Sequence, residues 1–378
     1  MVIRIIKYII SILALIILLV FGVLFSVIKL YDKEIKDIAL KQINNQLISP
    51  MIIQNLELSA FNYFPAISLQ FSNLLIKDPL ANNDTLLFAK NAFLNFDAYD
   101  LINKKYIVRK LVLKNGSLAA KVSSDGKENF DVFISKDKSE NNNFKFSLEQ
   151  LTLKDFSVNY QNIPLSQQYD FTISDSKLKG QFSNKEYDLN ILSSMSVNKF
   201  DLEGVNYLSS KNANTEIILH VINNPFSLTI KKGKLKIGDM NFFLEGDYKS
   251  SKKDILNLNI KGNQIQISEI FSILPLDYAS IKTKYSSEGI FNFDGNLNGE
   301  INNKQPLSFF VNFNAENATL KDKLNNIQLE KIDLSGTFNN KEQNLKIINF
   351  SALMNDKIMR GNLEIDNFKT PTYFLNIE

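Results

Sequence analysis

The sequence predicts a mainly β protein, in which an N-terminal transmembrane helix leads into an elongated, antiparallel, repeating train of strands with a few short helices. Three observations carry this. Ile9 to Ile28 is a 20-residue run without a charge. From Met51 to Glu378, apolar and polar residues alternate in blocks separated by polar turns, the pattern of half-buried strands. Blocks of this kind also resemble one another at a fixed offset, which points to a quasi-one-dimensional architecture.

The N-terminus comes first. At 1.5 Å per residue, "IISILALIILLVFGVLFSVI" is long enough for one hydrocarbon core of about 30 Å. Arg4 and Lys7 precede it, so the tail, residues 1–8, is expected to stay cytoplasmic. A buried core helix is one alternative, and a cleaved signal peptide is a closer one. The apolar region of a signal peptide is usually about 7–15 residues and ends in small residues. Here the run is longer and passes into "SVIKLYDK" with no A-x-A pattern, which favours an uncleaved anchor. In a diderm bacterium this single pass through the inner membrane would leave the bulk of the chain in the periplasm. Residues 29–49 follow as an amphipathic helix. Ile35, Ile38, Ile43 and Leu47 recur at helical spacing between Lys and Asp, and Pro50 closes it.

The strand train begins with "FNYFPAISLQFSNLLIKD", Phe61 to Asp78. Ile67, Leu69 and Phe71 alternate with Ser68, Gln70 and Ser72, and the phase slips at Ser72–Asn73, where a bulge is expected. The unit of five to eight alternating residues and a polar turn recurs in stretches such as "KYIVRKLVLKNGSLAAKV", "LTLKDFSVNY", "TEIILHVI", "LNLNIKGNQIQI" and "LSFFVNFNAENATLK". Asn115–Gly116, Asp125–Gly126, Asp294–Gly295 and Asn298–Gly299 read as hairpin turns between them. Phe96 to Lys105 and Ser268 to Pro275 are the short helical candidates. Strands and helices do not alternate at βαβ length, which argues against a parallel α/β sheet.

One repeat has an offset of 40. Lys105, Tyr106, Leu111, Leu113, Lys114, Ser117 and Leu118 match Lys145, Phe146, Leu151, Leu153, Lys154, Ser157 and Val158. A looser repeat pairs Leu235–Lys261 with Leu345–Glu378, through Gly246 and Gly361. The second copy stops at Glu378 where the first continues, so the sequence is expected to break off within a repeat.

Composition narrows the chemistry. A hydrophobic share of 44% with 22% charged residues is that of a folded chain. A net charge of +3 gives no basic stripe for nucleic acid. Cys is absent, and His220 is the single His, in the strand-like "EIILHVI". These leave no H-E-x-x-H zinc site, and no phosphate-binding glycine loop or G-x-S-x-G elbow is present. Asp125, Glu128 and Asp131 read as solvated acids of a turn. "NFDGNLNGE", Asn292 to Glu300, lacks the ligand spacing of a calcium loop. No enzyme, cofactor or metal is expected.

The chain's first third resembles the AsmA-like family of membrane-anchored bacterial proteins. The resemblance runs from Met1 to about Phe133. It rests on the anchor, the short amphipathic helix, and Phe64, Pro65, Leu69, Leu74 and Ile76. The marks continue with Leu86, Ala89, Phe96, Leu101, Ile107, Leu111, Leu113, Gly116, Leu118, Gly126, Asn129 and Phe130. Beyond this the likeness is one of repeat style, and the family's C-terminal region has no counterpart. The resemblance implies a β-groove that carries phospholipids between inner and outer membranes or otherwise maintains the outer envelope. Residues 50–140 would be the family's N-terminal β region and residues 141–378 the repetitive groove. Alternation alone nominates Ile67, Leu69, Phe71, Ile107, Leu111 and Leu113, with Leu151 and Leu153 from the repeat, as lining for phospholipid acyl chains. Two other functions fit the pattern: an assembly factor that pairs with outer-membrane proteins through a sheet edge, and a ligand-free β scaffold.

Overall fold

The computed structural model describes residues 26, 29, 32–45, 47–59, 63, 66–81, 84–132, 144–182, 184–202, 204–208, 210–273, 279–301 and 306–378. The expected span Ile9 to Ile28 lies, apart from Ser26, outside these residues, as do the cytoplasmic tail and Phe64–Pro65. Among the described residues no helix is long and apolar enough to cross a membrane.

The protein is mainly β and divides into two compact units. The first comprises Met1–Ala120, Glu128–Ser157 and Gln181–Ser183, and the second Lys121–Lys127, Val158–Gly180 and Asn184–Glu378. In the first unit, residues 32–45 form helix α1; of the expected apolar face Ile35 is buried, with Ala39 one turn on, while Ile38 and Ile43 are half-buried and Leu47 lies past the helix end. Strands β1 (Met51–Ile52), β2 (Asn55–Ser59), β3 (Ile67–Lys77), β4 (Thr85–Phe96) and β5 (Tyr106–Val122) follow. β1 and β2 both pair with β3, then β3 with β4 and β4 with β5, all antiparallel. Helix α2 (Ala98–Ile102) falls in the first predicted helical stretch, capped by Asp97, whose carboxylate accepts from the backbone N–H of Tyr99 and Asp100.

Strand β6 (Phe144–Asn162) departs from the antiparallel expectation. Arg109 Nη1 meets Glu149 Oε1 at 2.7 Å, and a Cβ on Gly116 would lie 2.6 Å from Phe156 Cε2. The Ile163 N–H donates to the Val122 carbonyl at 3.1 Å. These contacts join residues 40 or 41 apart, so β5 and β6 run side by side in the same direction, joined by a connection long enough for a parallel crossover. The offset-40 repeat is therefore a spatial register: each repeated residue of β6 sits beside its counterpart in β5.

The strands are longer than the alternating blocks. β3 has 11 residues, β5 has 17 and β6 has 19. Asn115–Gly116 lies inside β5, and Asp294–Gly295 and Asn298–Gly299 lie inside a single later strand, so three of the four predicted turns are not turns. Asn115 takes φ 53°, as Asn73 takes 49° in β3 and Asp155 takes 49° in β6. Asn and Asp tolerate this left-handed region better than most residues. Each kink resets the alternation, so burial passes from Phe71 to Leu74 in β3 and Phe156 is buried just past Asp155 in β6. That is the phase slip visible at Ser72–Asn73.

Asp125–Gly126 is a true turn, with Gly126 at φ 80°. The Lys127 ammonium and the Ser123 hydroxyl hold the exposed Asp125 carboxyl down to about 2. Because the folded value is depressed, the contribution of this contact to stability is complete above the unfolded value near 3.9 and fades as pH falls toward 2. An NMR titration is expected to place its midpoint near 2 and, in Lys127→Ala, closer to the ordinary carboxylate value. An unchanged midpoint would remove Lys127 as the cause.

In the second unit β7 (Gln167–Lys179), β8 (Glu186–Leu202), β9 (Val205–Leu208), β10 (Lys211–Asn223), β11 (Phe226–Ile237), β12 (Met240–Ser250) and β13 (Asp254–Gln266) come first. Helices α3 (Ile267–Ile273) and α4 (Ala279–Lys284) follow, α3 lying in the second predicted helical stretch. β14 (Tyr285–Glu300), β15 (Ser308–Asp322), β16 (Ile327–Asn339), β17 (Asn344–Met354), β18 (Lys357–Asp366) and β19 (Thr372–Ile377) complete it. β7 pairs with β8, β8 with β9 and β10, and from β10 onward each strand pairs with the next, all antiparallel. The looser repeat equates the meander β11–β12–β13 with β17–β18–β19.

Candidate functional site

Residues directly opposite in a ladder share a face, so the strand registers group the side chains. In the first unit Leu69 pairs with Leu94 and Leu94 with Leu111, Phe71 with Ala92 and Ala92 with Leu113. The parallel register sets Leu151 and Leu153 beside Leu111 and Leu113. Ile67 joins them through Phe96, which pairs with Val108. Seven of the eight nominated residues therefore come together on one face. Ile107 does not. The register shifts between Asn95 and Phe96, and Arg109 is the extra residue, so Val108 takes the place that alternation gives Ile107. The Arg109 guanidinium is held by Asp100 Oδ2 at 2.9 Å and Glu149 Oε1 at 2.7 Å, which fixes the bulge.

This face is closed in its β3 part. Ile67, Leu69 and Phe71 are at 0%, 0% and 1% exposure. Helix α1 docks on the same side, where Tyr106 Oη donates to Glu34 Oε1 at 2.9 Å next to the buried Ile35 and Ala39. These three residues are protein core. Leu113 is also buried, while Leu111, Leu151 and Leu153 stay half-buried.

The open apolar surface lies in the second unit. One rung of directly opposed residues runs Leu178, Ile191, Ile217, Gly233, Leu244, Ile260 and Gly295. It continues through Val311, Phe338, Leu345, Ile365 and Tyr373. The rung crosses twelve strands without a charge, an amide or an aliphatic hydroxyl. Apart from Val311 and the two glycines its members keep partial exposure, where a covering layer would have buried them. A parallel rung, Leu189, Leu219, Ile230, Gly246, Leu258, Leu297 and Phe309, repeats the pattern on the same face.

The adjoining rung on the opposite face has the reverse chemistry. Interspersed with the exposed Leu192, Phe243 and Phe374, it carries Lys177, Glu216, Lys234, Lys261, Asp294, Lys346 and Glu364, several as cross-strand pairs such as Lys261 Nζ–Asp294 Oδ2 at 2.9 Å and Lys346 Nζ–Glu364 Oε1 at 2.6 Å. Farther along this face, His220 Nδ1 lies 2.9 Å from Asp188 Oδ1, and its Nε2 lies 3.1 Å from Glu186 Oε1. The Asp188 carboxyl is lowered by Lys231 first and His220 second. His220 thus belongs to a surface ion cluster. Among the described residues no group of three metal-ligating side chains is gathered.

Phe rings are laid along the apolar face. Phe242 and Phe293 centroids are 6.2 Å apart, and Phe291 and Phe313 are 6.0 Å apart. Gly336 makes room for this packing, since a Cβ there would lie 2.7 Å from Phe313 Cζ and 2.3 Å from the Lys346 carbonyl. Helix α3 meets the face at one end only. Ile270 and Ile273 pack against Val197, Ala213, Ile237, Met240 and Ile265, and Ile267 packs against Ala315, Ala318, Ile332 and Ala352.

All eight lining residues that the sequence nominates lie in the first unit, and none lies on this surface. The usable signal was there: "LNLNIK" alternates Leu and Ile with Asn and Lys, which assigns Leu256, Leu258 and Ile260 to one face. No family model, curated protein or solved structure matches the chain.

Proposed function

We propose that this chain is a membrane-anchored periplasmic lipid-handling protein, with the uncharged face of its second unit as the surface that carries phospholipid acyl chains. The supporting observation is the twelve-strand rung from Leu178 to Tyr373. A sheet that places Lys, Asp and Glu on one face and none on the rung behind them is built for two different solvents. Burying a CH₂ is worth about 0.8 kcal/mol, so a sixteen-carbon chain half covered by the sheet gains roughly 6 kcal/mol. That suffices to hold a lipid tail out of water. No nucleotide-binding motif occurs in the sequence, so movement along the face would be passive or driven by a partner. The apolar run Ile9 to Ile28 supplies the anchor, and the AsmA-like resemblance of the first third agrees with this reading.

The test is photo-cross-linking of the full chain. A photoreactive residue is placed at Ile260 and, separately, at Lys261 on the opposite face. Each protein is mixed with vesicles of phosphatidylethanolamine and phosphatidylglycerol carrying radiolabelled acyl chains. Label at Ile260 with background at Lys261 is the expected result. Background at both, in protein whose circular dichroism matches the parent, would sink the lipid reading and return the face to a protein partner or a scaffold role.

A further inference from the structure

We infer that helix α3 is a fixed end-stop, which limits how far an acyl chain can extend along the strands; this rests on the lipid reading above. Where α3 sits, the sheet has been thinned to receive it. Ala213, Ala315, Ala318 and Ala352 lie at 2%, 5%, 3% and 2% exposure within the clusters that α3 contacts. Alanine is a poor strand former, so four of them on this one face serve room for a neighbour and not strand propensity. The two uncharged rungs beyond the helix contain no alanine; they carry Leu, Ile, Val and Phe, interrupted by Gly233, Gly246 and Gly295. Side chains buried beneath the helix and half-buried leucines and isoleucines beyond it describe a permanent seat next to a surface left for something else. Two features pin α3 in that seat. Ile270 and Ile273 pack on the cluster that holds Met240, itself 1% exposed, and Lys211 Nζ donates to Ser272 Oγ at 2.9 Å.

The consequence is a boundary on one face. Ile260 lies on the open side and Met240 on the occupied side. In the photo-cross-linking assay with the same vesicles, a photoreactive residue at Ile260 is expected to capture acyl chains and one at Met240 to give background. Replacing Ile270→Ala together with Ile273→Ala removes the side chains that fill the seat, and capture at Met240 is then expected to rise to the level at Ile260. Equal capture at both positions in the parent protein would overturn the end-stop, as would silence at Met240 in the variant while Ile260 is labelled.

The absence of native cysteine permits a second measurement that keeps Ile270 and Ile273 in place. The length of a lysine side chain separates β10 from Ser272, too far for a disulfide, so Lys211→Cys with Ser272→Cys is joined by a short bis-maleimide linker, which replaces the hydrogen bond with a covalent tie. A fixed stop predicts the same capture at Ile260 in the linked and the unlinked protein. Loss of capture on linking would mean that α3 must swing away for lipid to enter, and the end-stop would be wrong. Background at Ile260 in every form would instead defeat the lipid reading itself, and the boundary with it.

Discussion

Leu69→Ala is expected to destabilise the first unit by about 3 kcal/mol, within the usual range for a fully buried leucine. Leu258→Ala, on the open apolar face of the second unit, is expected to cost about 1 kcal/mol or less, since much of its side chain is not covered by protein. The two residues share a type and a strand setting, and Leu69 at 0% exposure differs from half-buried Leu258 only in what covers it. Over Leu69 the protein supplies its own cover, with Ile35 and Ala39 of α1 buried and Glu34 tied to Tyr106. Truncation there leaves a cavity that the packed neighbours cannot fill. Truncation at Leu258 leaves a dent in a surface and is expected to reduce lipid capture in place of stability. Amide hydrogen exchange under increasing urea separates the cases, because a chain of two units need not unfold in one step. Amides of β3 to β5 should open earlier in Leu69→Ala, and amides of β12 to β14 should be little changed in Leu258→Ala. Equal costs at the two sites would mean that both faces are covered alike.

Much of this architecture is legible in the residues. Alternation such as that of Ile67, Leu69 and Phe71 identifies strands because the side-chain period of a strand is two, and the spacing of Ile35, Ile38 and Ile43 identifies α1 because the period of a helix is 3.6. What fails is instructive in each case. Asn115–Gly116 reads as a hairpin turn because Asn tolerates positive φ and Gly lacks a Cβ. Within β5 those same properties serve a mid-strand kink and a close approach to β6, so the local chemistry is identical and only the tertiary setting differs. Ile107 fails for a related reason. A one-residue bulge at Arg109 inverts every assignment upstream of it, and the cause lies in Asp100 and Glu149, which are distant in sequence. The offset-40 repeat was visible, but whether it meant stacked units or adjacent parallel strands depends on a register that sequence does not encode. Covering is the hardest to foresee. Leu69 and Leu258 look alike in sequence, and only the packing around Leu69, on the side where α1 docks, makes one of them core.

Gly116→Ala is the second substitution with a large expected effect, about 2–3 kcal/mol from overpacking. Gly116 does not need a left-handed backbone; its constraint is space. An added Cβ would lie 2.1 Å from the Phe88 carbonyl oxygen, 2.6 Å from Phe156 Cε2 and 2.9 Å from the Ala89 Cα. Two of these three are backbone atoms of the paired strand β4, so a rotamer change cannot relieve the contact. The Phe156 ring, at 1% exposure, closes the third side from β6. The methyl group must therefore push β4 away from β5 or drive the ring out of its seat, and either route disturbs the parallel seam between β5 and β6. The double variant Gly116→Ala with Phe156→Leu separates these routes. A smaller residue at 156 removes the ring contact but leaves the Phe88 carbonyl in place, so the double variant is expected to recover none of the loss attributable to backbone. Urea unfolding monitored through β4 and β5 amides reads the outcome. A Gly116→Ala protein as stable as the parent would mean that β4 can yield at this point, and the seam would then owe its register to Arg109 and its two carboxylates instead of to close packing.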